Sequence, residues 1–106
     1  EWIFTLTDDA RLLAIARSTG RVRWVTQLMH YKNEKKHENP VFWTGPVLAN
    51  NKLWIASSRG EVYSVDVTSG TPTLFTSLKS PISLPPIVAN QTLYILSNDG
   101  KITAFR

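Results

Sequence analysis

The sequence predicts an all-β fold assembled from repeated four-stranded antiparallel sheets, and three observations carry that prediction. The first is internal repetition. Ile3–Gly20 (IFTLTDDARLLAIARSTG) lies over Leu53–Gly70 (LWIASSRGEVYSVDVTSG) at an offset of 50, and Leu93–Arg106 (LYILSNDGKITAFR) lies over the middle copy at an offset of 40. The second is register. Phe4, Trp54 and Tyr94 are equivalent, as are Thr7, Ser57 and Ser97, then Ala10, Gly60 and Gly100, then Leu12, Val62 and Ile102. The third is that no segment carries a convincing apolar period of 3.6 residues. A repeat of about 40 residues, made of short strands and Gly-marked turns, has the length of a propeller blade. No such sheet buries both faces alone, so neighbours must stack around an axis. The expected architecture is a β-propeller fragment of about 2.5 four-stranded antiparallel blades.

The elements follow in order. The first copy starts at its second strand, with strand-like runs Trp2–Thr7, Leu12–Ala16 and Val22–Thr26. Ala10–Ala16 (ARLLAIA) has a helix-forming composition, but it aligns with Gly60–Asp66 and is read as a strand. Met29–Pro40 (MHYKNEKKHENP) holds the ten-residue excess between the first two copies. Its charges and its turn formers Asn33 and Asn39-Pro40 make it an inter-blade loop on one rim. The middle copy is complete: Gly45–Asn50, then Leu53–Ser57, then Val62–Val67, then Thr73–Thr76. In Leu53–Ile55 both faces are apolar, which places that strand between two neighbouring sheets. Val62, Ser64 and Asp66 should share one face of the next strand, and Tyr63, Val65 and Val67 the other. The third copy gives Ile87–Ala89, Leu93–Ser97 and Ile102–Phe105. The expected division is one partial propeller domain over 1–106, with an incomplete blade at 1–28, a loop at 29–40, a blade at 41–78 and an incomplete blade at 81–106. About ten strands and no helix longer than one turn are expected, with Trp24 and Trp54 largely buried and Tyr31 and Lys35 exposed.

A propeller needs at least about four blades of about 40 residues, so the 106 residues are expected to be part of a larger ring. Twelve Lys and Arg against eight Asp and Glu give a net charge of +4. The cations are scattered, which does not make the clustered basic face of a nucleic-acid binder. Without cysteine the chain has no disulfide, thiolate metal site or cysteine nucleophile. No apolar run approaches the ~20 residues of a membrane-spanning helix.

Candidate chemistry is sparse. His30 and His37 flank a loop with Glu34 and Glu38, but a loop of this kind lacks the fixed geometry of a tight metal site. Asp8, Asp9 and Asp99 recur at hairpin tips, where turn geometry favours Asp. Ser57, Ser58 and Ser97 have no base placed beside them, and Gly-x-Ser-x-Gly is absent. Gly60, Gly70 and Gly100 are isolated turn glycines without a phosphate cradle. No catalytic, cofactor or metal residues are expected. The rim loop, with Tyr31, Lys32, Lys35 and Lys36, is the expected protein-contact element.

Ser18-Thr19-Gly20-Arg21-Val22-Arg23-Trp24 resembles the Thr-Gly-x-x-x-Trp blade signature of quinoprotein-type (PQQ-repeat) propellers. The resemblance implies that Trp24 lodges between adjacent blades, with Gly20, Gly60, Gly70 and Gly100 as the turn residues of the docking scheme. The middle copy departs from the pattern, with Leu74 and Phe75 where Trp would stand. The signature's Asp at the end of the third strand occurs only as Asp66. The Asn98–Arg106 hairpin and the lead-ins Phe42–Val47 and Ser83–Val88 make the chain similar to the C-terminal part of BamB-like proteins. That resemblance implies a non-enzymatic scaffold of the outer-membrane β-barrel assembly machinery, periplasmic and outer-membrane associated. Its partners would be other proteins of the assembly complex, its membrane contact a lipid anchor outside this segment. Two other readings remain open at this point: part of a quinone-dependent (PQQ) dehydrogenase, or the sensor propeller of a signalling protein. The isolated 106 residues are expected to self-associate through an unpaired edge at Ile102–Phe105.

Overall fold

The computed structural model describes residues 2–33 and 35–105. Glu34, Arg106 and the side chain of Lys32, all invoked above, lie outside it.

Among the described residues there are twelve strands and no helix. The first sheet contains β1 (Trp2–Leu6), β2 (Arg11–Ala16) and β3 (Val22–Gln27). A two-stranded hairpin follows, β4 (Tyr31–Asn33) and β5 (Glu38–Pro40). The second sheet contains β6 (Trp43–Ala49), β7 (Lys52–Ser57), β8 (Glu61–Asp66) and β9 (Pro72–Ser77). The third contains β10 (Ile87–Ala89), β11 (Thr92–Leu96) and β12 (Ile102–Phe105). Every pair is antiparallel, and spatial order follows chain order in each sheet. Three radial sheets of three, four and three strands form a flat sector of 42 × 42 × 18 Å. The expected ten blade strands are all present, and the two additional ones are β4 and β5, inside the segment expected to be a loop.

Ala10–Ala16 resolves the conflict between composition and repeat. β2 pairs with β1 from Leu6↔Leu12 to Trp2↔Ala16 and with β3 on its other side. A strand hydrogen-bonded on both edges gains more than a short isolated helix could offer. Ala10 takes the left-handed turn position at φ 64°, matching Gly60 at 88° and Gly100 at 86°.

The middle sheet feeds a core on each face. Leu53, Ile55 and Val65 pack with Leu12, Leu28 and Ala10 against the first sheet. Ala56 and Val62 pack with Leu93, Ile95 and Ile82 against the third. The division of β8 follows strand alternation, with Val65 on one side and Val62 on the other. Each fully buried Leu, Ile or Val contributes roughly 1.5–3 kcal/mol. Ile82 lies in no strand, yet it is only 1% exposed.

One expectation of burial needs correction, that Tyr31 is exposed, and the two tryptophans keep a share of exposed surface. Trp24 and Trp54 are half-buried. Trp54 sits at the open end of an inter-sheet gap, edge-on to Phe75 at 5.0 Å, and Phe75 reaches Phe105 of the third sheet at 5.1 Å. Tyr31 is also half-buried. Its ring lies parallel to His37 at 4.9 Å and tilted against His30 at 4.2 Å. Lys35 is exposed.

Candidate functional site

An antiparallel meander sends alternate turns to opposite ends of the sheets, and the two ends differ in chemistry here. One end carries the turns before β7 and β11 and those before β3 and β9. The other carries the tips Thr7–Ala10, Ser57–Gly60 and Ser97–Gly100, with the connections that cross from sheet to sheet.

The first end joins the blades. The Trp24 indole Nε1–H donates to the Val67 carbonyl at 3.0 Å across the sheet boundary. Its ring lies against Gly70, where a Cβ would fall 2.5 Å from the ring carbons. The Thr26 hydroxyl donates to the Gly70 carbonyl beside it. Asp66 shapes the turn that receives this ring: its Oδ1 accepts from the N–H groups of Thr68 at 2.7 Å and Ser69 at 3.1 Å. Those two backbone donors hold the Asp66 carboxyl below the usual carboxylate range. Gly20 and Gly100 also have positive φ, but a Cβ at either meets nothing within 4 Å. Their part is confined to their own turns. The Arg23 guanidinium lies over the Trp2 ring, 4.6 Å from its centre.

The opposite end is the candidate contact surface. The tips repeat one device: a hydroxyl at the strand end bonds the turn two residues on. Thr7 donates to Asp9, and Ser97 Oγ donates to Asp99 Oδ1 at 2.6 Å. These hydroxyls are the principal reason that both carboxyls lie below their ordinary range. In the middle tip Arg59 replaces the Asp, and the fully buried Ser57 instead accepts from the N–H groups of Arg59 at 3.2 Å and Glu61 at 3.3 Å. The aspartates and serines thus build turns. Among the described residues no group of three or more His, Asp or Glu is placed to hold a metal ion.

The hairpin β4–β5 is tied down at its base. Val41 N–H donates to the His30 carbonyl and Trp43 Nε1–H to the Met29 carbonyl, each at 2.8 Å. Register runs Tyr31↔Pro40 and Asn33↔Glu38, and Asn33 Oδ1 accepts from the Lys36 N–H at 3.2 Å. Lys35 and Lys36 are exposed at its tip, with Tyr31 toward its base. A cavity of about 360 Å³ separates the arm from the first tip, lined by His30, Tyr31 and His37 on one side and by Asp9, Arg11 and Gln27 on the other.

Sequence reasoning passed over the most exposed aromatic of this end. Phe42, read only as part of a lead-in, is 67% exposed. It stands between a cavity containing Asp8 and a larger one of about 650 Å³ containing Arg59 and Lys79. A large apolar residue directly before a strand, outside its alternating face, was the available signal.

Residues 8–106 match the family model described as outer membrane protein assembly factor BamB. The chain belongs to the BamB family. The crystal structure of BamB from Moraxella catarrhalis superposes on it with a TM-score of 0.73 at 20% identity. That likeness covers 99% of this chain and 30% of the M. catarrhalis chain. No curated protein sequence matches. The BamB fold accounts for the radial sheets and for the repeat, and the chain spans about a third of the length of that relative.

Proposed function

We propose that the chain is a sector of a non-enzymatic scaffold that holds proteins of the outer-membrane β-barrel assembly machinery together at the periplasmic face of that membrane. The observation that carries this reading is the family match over residues 8–106, on a fold whose repeated turns are occupied by structure-building hydrogen bonds. Rigid sheets present loops at fixed positions, and loops on a rigid scaffold are where protein contacts form. In this reading 1–28, 41–78 and 81–106 act as blades. Trp24 docks the first on the second through Gly70, with Gly20, Gly60 and Gly100 setting the turns. The arm carrying Tyr31, Lys32, Lys35 and Lys36 contacts a partner protein.

The test is cross-linking in cells that express the full-length protein with a photoreactive residue at Lys35. Adducts to outer-membrane assembly proteins are expected in the outer-membrane fraction. Full-length protein found in another compartment, or without any such adduct from any rim position, would overturn the reading.

A further inference from the structure

We infer that the groove between Phe42, Arg59 and Lys79 is a preformed docking site for an acidic segment of a partner protein that carries an apolar side chain. This inference deepens the protein-binding reading above and rests on it for the class of partner.

The groove is built by three chain segments locked together. Ser58 N–H donates to the Phe42 carbonyl at 2.7 Å, and Ser58 Oγ accepts from the Phe42 N–H at 2.9 Å. On the other side, Leu78 N–H donates to the Gly60 carbonyl at 2.7 Å. The backbones approach so closely there that a Cβ on Gly60 would lie 2.5 Å from the Leu78 carbonyl oxygen and 2.7 Å from that of Ser80. Arg59 and Lys79 are therefore carried side by side on neighbouring stretches of fixed backbone. Phe42 stands at the same rim, two-thirds exposed.

The described lining of the groove carries two cations, Arg59 and Lys79, and no acid, with Asp8 in the cavity on the other side of Phe42. Among the described residues the ion pair is Arg11 with Asp9, on the first tip, and neither Arg59 nor Lys79 joins it. Arg59 Nη1 lies 2.9 Å from the Met29 sulfur, a weak acceptor that leaves most of the guanidinium donors open. Asp99, the acid of the adjoining tip, turns its carboxylate to the Ser97 hydroxyl and the Lys101 N–H. Two cations lining one groove with an apolar ring complement a segment with carboxylates flanking an apolar side chain. Arg presents a planar fork for carboxylate, and Lys adds a point charge.

The experiment measures fluorescence anisotropy with full-length protein and a labelled synthetic peptide, one phenylalanine with glutamates on both sides. The same peptide with glutamine in place of glutamate is the comparison. The expected result is binding of the glutamate peptide that weakens as salt rises, with little binding of the glutamine one. Arg59→Glu and Lys79→Glu should each weaken it by about tenfold, the scale of a lost charge contact. Phe42→Ser should weaken it while leaving the salt dependence in place. All three side chains are on the surface, and an unchanged circular dichroism spectrum checks each fold. Equal binding of both peptides, full binding by all three variants, or loss only on changing Lys35 and Lys36 would overturn the inference. So would variants that lose binding to phosphatidylglycerol vesicles but keep the peptide. Failure of the cellular cross-link with retained peptide binding would instead remove the assembly reading alone.

Discussion

The indole of Trp24 rests on Gly70 of the next sheet with no room for a methyl group between them, and its N–H is bonded to Val67 three residues before. One side chain thereby touches the next sheet at two points, beside the Thr26 bond to Gly70 and the core that the two sheets share.

Gly70→Ala in the full-length protein is expected to lower stability by about 2–4 kcal/mol. The new methyl would overlap the ring, and φ 77° is strained for Ala. Trp24→Phe keeps the ring and loses the bond to Val67, at about 1 kcal/mol. Trp24→Ala should cost about 3 kcal/mol, the low end for an aromatic because the residue is half-buried. Denaturant midpoints give the order, and Trp24→Phe proving the worst of the three would show that the ring is not what spaces the blades.

Gly60 and Gly100 occupy equivalent repeat positions with nearly the same φ, 88° and 86°. Gly60→Ala meets two carbonyl oxygens, whereas Gly100→Ala meets open space. The second should cost about 1–2 kcal/mol for the left-handed backbone alone, and the first clearly more. Equal losses in thermal melts would mean that the Leu78–Ser80 backbone simply moves aside.

Ile82→Ala should lower stability by about 2–5 kcal/mol although the residue lies outside every strand. It fills the core between the second and third sheets with Val62 and Ile95. Leu84→Ala, two residues on at an exposed position, should be near neutral. Comparable effects of the two substitutions would contradict the packing.

Asp66 predicts a pH dependence. The Thr68 and Ser69 N–H groups stabilise its ionised form, so its folded-state pKa lies below the unfolded one. Its contribution to stability is complete above the unfolded value of about 3.9 and is lost as pH falls through the folded value. Asp9 and Asp99 act in the same direction. Asp66→Asn should therefore make the acid fall of melting temperature shallower without abolishing it. A variant whose melting temperature falls with acid as steeply as the parent's would exclude this role.

The blade strands were legible in the sequence because the repeat supplies a check that local propensity lacks. Ala10–Ala16 shows this, since alignment with Gly60–Asp66 outweighed its helix-forming alanines and leucines. The hairpin β4–β5 was not legible. It occurs once, so no second copy could reveal it, and strands of three residues carry too little alternation to register. The degree of exposure of Trp24 and Trp54 was not legible for another reason. Sequence shows that an aromatic belongs to an inter-sheet seam, but not how far along that seam it sits. The groove at Phe42 was hidden because its three segments are joined mainly by backbone hydrogen bonds, which leave no mark in residue type.

The placement of the indole contact at one end of the strands and of the paired cations at the other has a consequence for how such a protein can change. In the proposed reading, mutations that alter which partner is met fall at one end of the strands, about a strand's length from the seam that joins the first two sheets. A partner surface so placed can drift over generations of substitution while the joinery stays intact.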